Sequence, residues 1–467
     1  MKYRISKPAQ LLHTAALPSS KSISNRALII HTLSGASDDW LQHTSDCDDT
    51  FVMQRALRML REERTVEQET NYRNSHKEKG AGEPPVIDIM AAGTSMRFLT
   101  ALLSVTDGCH VITGSERMRH RPISVLVDAL RRLGADIAYE GEAGFPPLRI
   151  RGGQLHGGRL EVAGDISSQY ISALLMIAPR MTDGLELHLC GTVVSRPYIH
   201  MTVAMMRQYG ARVSWRGNRT ICVEPSPYSP IPYSVEADWS AAAFWFEMAA
   251  VSTDGDIHIR LPRLRADSLQ GDAEVRRVFR MLGIQSRFEA ASDGGKERVK
   301  METNHKNSHN EKAVPVLHVW RSRQSCPRLD YDFTRIPDLA QAVVVACCMT
   351  GVPFRLTGLQ TLRIKETDRI AALCTELCKW GVHLTVEDDC TLCWEGPKHQ
   401  PGGASGYLRP QEGSAIDTYD DHRMAMAFAP AALCLKSVDI NHPEVVTKSY
   451  PGFWQDLLQA GFQIKEL

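Results

Sequence analysis

Apolar and polar positions along the chain follow two periods. Stripes at helical spacing, such as Ile23, Ala27 and Ile30, or Ile370, Leu373, Cys374, Leu377 and Trp380, predict amphipathic helices. Short alternating runs such as LRIRG and VDINHP predict strands. A phrase of helix, apolar-Gly-apolar turn and short strand recurs as LRRLGADIAY, MRQYGARVSW, FRMLGIQSRF, LCKWGVHLTV and LLQAGFQIKE, with a degraded first copy near RALRMLREER. Gly134, Gly210, Gly283, Gly381 and Gly461 are expected at helix C-termini in the left-handed conformation. Copies about 70–100 residues apart are too widely spaced for a solenoid and imply a repeated folding unit of α/β (α+β) class. Two polar stretches, 62–84 and 291–313, interrupt the plan and read as exposed or disordered excursions. They share the phrases NYRNSHKEK and NHKNSHNEK, for which a solvated loop is favoured over a histidine metal site.

The helix beginnings carry the chemistry. SSKSISNRALII opens on Ser19, Ser20, Lys21 and Ser22, AAGTSMRFLTALL on Gly93, Thr94 and Ser95, and SSQYISALLMIAP on Ser167, Ser168 and Gln169. Further helices are expected after Asp238, after Asp338, from about residue 368 with Thr367 as N-cap, and in DDHRMAMAFAP. Each alone is an ordinary capped helix. Together they offer several N-termini whose free N–H groups and dipoles favour anions, with Lys21, Arg26, Arg97, Arg369 and Arg423 adding full charges. In RIKETDR, Lys365 and Arg369 crowd the start of a helix, where the macrodipole disfavours cations. A convergent pocket for a polyanionic ligand follows, which the loop cations Arg121 and Lys448 are placed to join. Asp338, Glu366 and one of Asp48 or Asp49 stand among these cations. A carboxylate there suggests proton transfer, while plain capping fits Asp338 as well.

Composition narrows the setting. The 467 residues suffice for two or three domains, and 43% hydrophobic with 23% charged residues is that of a globular protein. Acids and bases balance at 54 each, so no global field recruits nucleic acid or membrane, and any basic site is local. MKYRISKPAQ lacks the apolar core of a signal peptide, and a cytoplasmic protein is expected. The 12 cysteines then read as reduced core residues rather than a disulfide framework. Cys374, Cys378, Cys390 and Cys393 have the look of a zinc site. Cys374 and Cys378 fall on the apolar side of a helix, however, and no metal is expected.

SKSISNRA, AAGTSMR, RHRPIS, ISSQYISALLM, SRPYI, RIKETDR and DDHRMAMAF, in this order between residues 18 and 450, closely resemble the 5-enolpyruvylshikimate-3-phosphate synthase family. The resemblance implies a two-domain enolpyruvyl transferase fold. Each domain would have three βαβαββ-type repeats around buried helices, with the active site in the interdomain cleft, which closes around substrate. The domains would be 19–236, and 1–18 with 237–467, joined by a double hinge. The implied reaction moves the enolpyruvyl group of phosphoenolpyruvate to the 5-hydroxyl of shikimate 3-phosphate by addition–elimination. This is a step of the shikimate pathway to chorismate and the aromatic amino acids, and it needs no cofactor.

By the same resemblance Lys21, Asp338 and Glu366 are catalytic. Shikimate 3-phosphate would be held by Lys21, Ser22, Arg26, Ser167, Ser168 and Gln169, and by Ser195, Tyr198, Asp338, Thr361 and Lys365. Phosphoenolpyruvate would be held by Lys21, Gly93, Arg121, Gln169, Arg369, Arg423 and Lys448. Arginine suits such ligands because its planar fork grips a carboxylate or phosphate with paired bonds. Both substrates are small molecules, and the protein is expected to be a monomer. Ala91, Phe98 and Thr361 depart from the usual Asn, Pro and Asn of the family. Gly93, projecting no side chain, would leave room for glyphosate in the phosphoenolpyruvate site.

The related transferase acting on UDP-N-acetylglucosamine uses a loop cysteine, and Ser115 to Ser124 contains none. A phosphoryl-transfer reading of SSKS lacks the glycines of GxxxxGK[ST]. A non-catalytic anion-binding protein of the same fold is the third alternative.

Overall fold

The computed structural model describes residues 1–8, 11, 14–73, 83–253, 257–289, 314–322, 325–397, 407–411 and 413–467. The chain forms two compact units, one of residues 19–235 with 269–271, the other of 1–18, 236–268 and 272–467. Each has its own apolar core.

In the first unit two four-stranded sheets share one plan. Val86–Asp88 pairs in parallel with Gly108–Thr113, which continues antiparallel to Leu148–Gly152 and then Asp136–Tyr139. Gly158–Ala163, Leu185–Cys190, Thr220–Val223 and Val213–Arg216 repeat the order. A parallel pair needs a crossover, and the helices Gly93–Ser104 and Ser168–Ile177 supply it. Tyr233–Ser234 with Leu41–Gln42 makes a small third sheet. The helices Gly93–Ser104 and Ser168–Ile177 are buried over almost their whole surface, and Lys21–Ser34 packs against both.

The second unit repeats the scheme. Leu329–Asp332, Phe354–Thr357, Thr391–Trp394 and Thr385–Glu387 form the four-stranded sheet, with the buried helix Ala340–Thr350 as crossover. His258–Pro262, Val316–Arg321 and Ile284–Phe288 form a second sheet. In the third, the N-terminal strand Lys2–Ser6 lies between Ser437–Asn441 and Gln463–Glu466, which fixes the start of the chain to its end. The Trp239–Val251 helix is apolar on all sides, as a helix at the centre of a core must be, and Trp245 and Phe246 have no exposed surface. It packs against Ala340–Thr350 and His422–Phe428, the other two buried helices of this unit.

The expected turn glycines all have positive φ, between 81° and 101°. Two expectations need correction. The polar stretch from residue 62 is not an excursion at first, because the helix Asp48–Arg73 runs on through it. Its REERTVEQET segment is rich in good helix formers, whose propensity favours continuing the helix. Residues 74–82 and 291–313 lie outside the described residues. In RIKETDR the N-cap is Asp368, not Thr367. Asp368 Oδ1 accepts from the Ala371 N–H at 3.1 Å, and the helix is Arg369–Cys378. Lys365 therefore sits ahead of the helix, and Trp380 beyond its end.

Candidate active site

In the first unit the side chains are held by the starts of its buried helices. Ser20 caps the Lys21–Ser34 helix, and the Lys21 ammonium lies 3.7 Å from Asp49. One turn on, Arg26 is 3% exposed. Its Nε donates to Thr202 Oγ1 at 2.7 Å, Nη1 to the Ser22 carbonyl at 2.9 Å and Nη2 to Ser172 Oγ at 3.1 Å. The rings of Phe98 and Tyr198 lie 5.4 and 5.7 Å from the guanidinium carbon. Burial lowers this guanidinium to about 10, so it stays charged at neutral pH while its acceptors are uncharged oxygens. Such a group is short of an anion.

Gly93 begins its helix with no side-chain cap from Ala92. A Cβ at Gly93 would lie 2.7 Å from Arg121 Nη1 and 2.8 Å from Arg97 Nη1, so the glycine makes room for two guanidinium tips. Arg97 Nη1 donates back to the Gly93 carbonyl at 2.7 Å. Ser167 caps the Ser168–Ile177 helix through the Gln169 N–H, and Gln169 Nε2 donates to Thr94 Oγ1 at 3.1 Å, joining two helix starts. Ser195, at the start of Arg196–Gln208, is left-handed at φ 51°. A non-glycine residue there costs about 1–3 kcal/mol and persists where its surroundings hold it, often at functional sites.

In the second unit everything gathers on Arg369, which is 1% exposed. Its Nε and Nη2 grip Asp421 at 2.6 and 3.2 Å, Nη1 donates to Asp338 Oδ1 at 2.9 Å, and Nη2 to Glu366 Oε2 at 2.8 Å. Burial opposes the charge, but Asp421, Glu366 and Asp338 outweigh it and raise the guanidinium further. Lys365 Nζ is 3.4 Å from the same Asp338 oxygen. Arg423 Nη1 donates to the Asp338 carbonyl at 2.8 Å, while Asp421 Oδ1 caps the Arg423 N–H at 2.9 Å. Asp338 does not cap the helix that follows it, because its carboxylate faces three cations instead. Lys448 Nζ donates to the Asp420 carbonyl at 2.6 Å. Thr361 Oγ1 is buried without a hydrogen-bond partner among the described residues.

Sequence reasoning passed over Asp421 and Asp272. The first had a signal, an aspartate directly before a helix. The second had none: Asp272 is buried, hydrogen-bonded to Ser240, and raised to about 6 by burial and by Asp338. Not all cysteines are core residues as expected: Cys190 and Cys378 are exposed. No group of three or more His, Cys, Asp or Glu among the described residues is placed to hold a metal ion.

The chain is similar to known proteins along nearly its whole length. Two structures of EPSP synthase from Acinetobacter baumannii superpose with TM-scores of 0.71 and 0.70, at 22% and 21% identity over the whole of both chains. The 3-phosphoshikimate 1-carboxyvinyltransferase of Bacteroides fragilis is 47% identical over 465 residues, covering 100% of this chain and 99% of that one. Those of Methanospirillum hungatei and Shewanella halifaxensis are 33% and 32% identical, over 98% and 94% of this chain and 98% and 95% of theirs. The family model for EPSP synthase (3-phosphoshikimate 1-carboxyvinyltransferase) matches residues 5–457, from the first strand to the last helix. With every cation described above inside that span, the chain belongs to the EPSP synthase family.

Proposed function

We infer that this chain transfers the enolpyruvyl group of phosphoenolpyruvate to the 5-hydroxyl of shikimate 3-phosphate, releasing phosphate. The family and the full-length relatives support the reaction. The observation that carries the residue roles is that Asp338 and Glu366 share one buried guanidinium, Arg369. In the addition step the 5-hydroxyl gives up its proton as its oxygen bonds to C2 of phosphoenolpyruvate, and the methylene carbon takes a proton. In the elimination step that carbon loses a proton and the C–O bond to phosphate breaks. Asp338 handles the hydroxyl and Glu366 the methylene, with Lys21 serving either step.

Arg369, Arg423 and Lys365 face Asp338, Glu366 and Asp421, a balanced set of charges. Phosphoenolpyruvate, assigned to Lys21, Gly93, Arg121, Gln169, Arg369, Arg423 and Lys448, adds negative charge. A carboxylate crowded by a second anion favours its protonated form. Glu366 is then the acid that addition requires. Shikimate 3-phosphate is assigned to Ser22, Arg26, Ser167, Ser168, Ser195 and Tyr198, with Lys21, Gln169, Asp338, Thr361 and Lys365. Arg26 awaits its phosphate. The protein acts as a cytoplasmic monomer, and no helix among the described residues is long and apolar enough to cross a membrane.

A phosphate-release assay with phosphoenolpyruvate and either shikimate 3-phosphate or UDP-N-acetylglucosamine tests the reading. Turnover with the first alone is expected, and turnover with only the second overturns it. Glyphosate is expected to compete with phosphoenolpyruvate.

A further inference from the structure

Glu376 lies two turns beyond Arg369 on the same helix and has no exposed surface. Its carboxylate reaches a different segment of the chain. Oε1 accepts from the Tyr419 hydroxyl at 2.6 Å, and Oε2 from the Asp417 N–H at 3.0 Å. Lys379 Nζ stands 2.7 Å from Oε2 and also donates to the Ala415 carbonyl at 2.8 Å and to Asp417 Oδ2 at 3.0 Å. Asn441 Nδ2 takes the other Asp417 oxygen at 2.7 Å. Residues 415–419 are thus pinned to the Arg369 helix through one buried carboxylate.

The residues that follow have an uncommon backbone. Tyr419 and Asp420 are both left-handed, at φ 54° and 56°, and neither is glycine. Two such residues in succession persist only where their surroundings hold them. This turn contacts the charged groups of two cations and the backbone of a third. The Asp420 carbonyl accepts from Lys448 Nζ at 2.6 Å. The Asp421 carboxylate grips Arg369, and it also caps the Arg423 N–H.

We propose that Glu376, acting through Tyr419, is a positioning residue for phosphoenolpyruvate: it holds the Tyr419–Asp420 turn and thereby sets the placement of Arg369, Arg423 and Lys448. This rests on the assignment of those cations to phosphoenolpyruvate. Neither Glu376 nor Tyr419 touches a reacting atom. Burial and the Glu376 hydrogen bond both raise the Tyr419 hydroxyl, which keeps its proton and donates throughout the neutral range.

The test compares Tyr419→Phe, Glu376→Gln and Lys448→Met in the full-length protein by steady-state kinetics, with shikimate 3-phosphate binding measured by titration. Losing a hydrogen bond to a charged acceptor predicts an increase in KM for phosphoenolpyruvate of about tenfold or more in Tyr419→Phe, with kcat and shikimate 3-phosphate affinity within about twofold. Glu376→Gln is expected to go further in the same direction. Tyr419→Phe removes one oxygen from a partly exposed side chain, so it gives an answer even if Glu376→Gln folds poorly. A merely structural role would lower Tm and weaken both substrates alike, and that pattern overturns the proposal. If Lys448→Met raises the phosphoenolpyruvate KM and Tyr419→Phe does not, the positioning role alone fails. If Lys448→Met leaves that KM unchanged, the assignment of the cations fails and takes the positioning role with it.

Discussion

Arg26 and Arg369 are both buried arginines near the start of a helix, yet their surroundings are opposite. Arg26 hydrogen-bonds to a threonine, a serine and a backbone carbonyl, and burial pulls its guanidinium down to about 10. Arg369 is wrapped by three carboxylates, which push it up against its burial. A buried cation with only neutral partners carries a desolvation cost that the protein does not offset. That cost is tolerable if a ligand supplies the missing charge. A buried cation with three carboxylates is a structural tie first, and it meets an anion only by giving up part of that tie. On the proposed assignment, the first unit presents a receptor for a phosphate, and in the second the arrival of an anion shifts which carboxylate keeps its proton.

The sharpest way to break this comparison is Glu366→Gln. If Glu366 supplies the proton, kcat is expected to fall by about 10²–10⁴-fold with modest change in substrate binding, and an active variant ends the acid–base role. Next comes stability. Arg369→Met leaves Asp421 buried without its guanidinium and Asp338 and Glu366 short of a partner, so it should destabilise by about 3–5 kcal/mol in denaturant titration. Arg26→Met strands no carboxylate and should leave stability within about 1 kcal/mol while abolishing shikimate 3-phosphate binding. Equal losses of stability in the two variants would erase the distinction.

The helix beginnings were legible because capping residues, glycines and cations stand together in short phrases such as SSKS and AAGT. Their meaning was not. Whether Asp338 caps a helix or meets a cation depends on Arg369, and local spacing carries no record of so distant a partner. Asp272 is the extreme case, lying in a plain 3-10 turn far from the residues that perturb it. In RIKETDR the pattern located the helix to within one residue. It could not choose between Thr367 and Asp368, neighbours that both suit a cap. The helical run through residues 62–73 shows the reverse failure, since an apolar stripe reports where a helix is buried and not where it ends. The family resemblance supplied roles that no periodicity contains.

A milder variant of the receptor is Arg26→Lys. It keeps the charge but loses the planar fork and the hydrogen bonds to Thr202 and Ser172. With each charge-assisted bond to the phosphate worth about 1.5–3 kcal/mol, shikimate 3-phosphate should bind about 10–100-fold more weakly by calorimetry. Wild-type affinity in this variant would show that net charge, rather than a shaped receptor, is what Arg26 contributes.

The smallest expected effect tests the buried carboxyl of Asp272 beside Asp338. Asp272 is raised to about 6 by burial, then by the neighbouring Asp338, against the opposing pull of Arg423. A carboxyl raised in the folded state holds its proton there after the unfolded chain has lost it. Folding is therefore least hindered below the unfolded value of about 3.9, and it loses stability as the pH climbs from there to about 6. Above about 6 the loss is complete, of order 3 kcal/mol, because the buried group must then ionise beside another carboxylate. Asp272→Asn removes the titration and keeps the shape. Its stability relative to wild type should rise between pH 4.5 and pH 8, read as a widening difference in Tm. A difference that stays flat across that range would mean that neither burial nor the neighbouring Asp338 raises Asp272 in the folded protein.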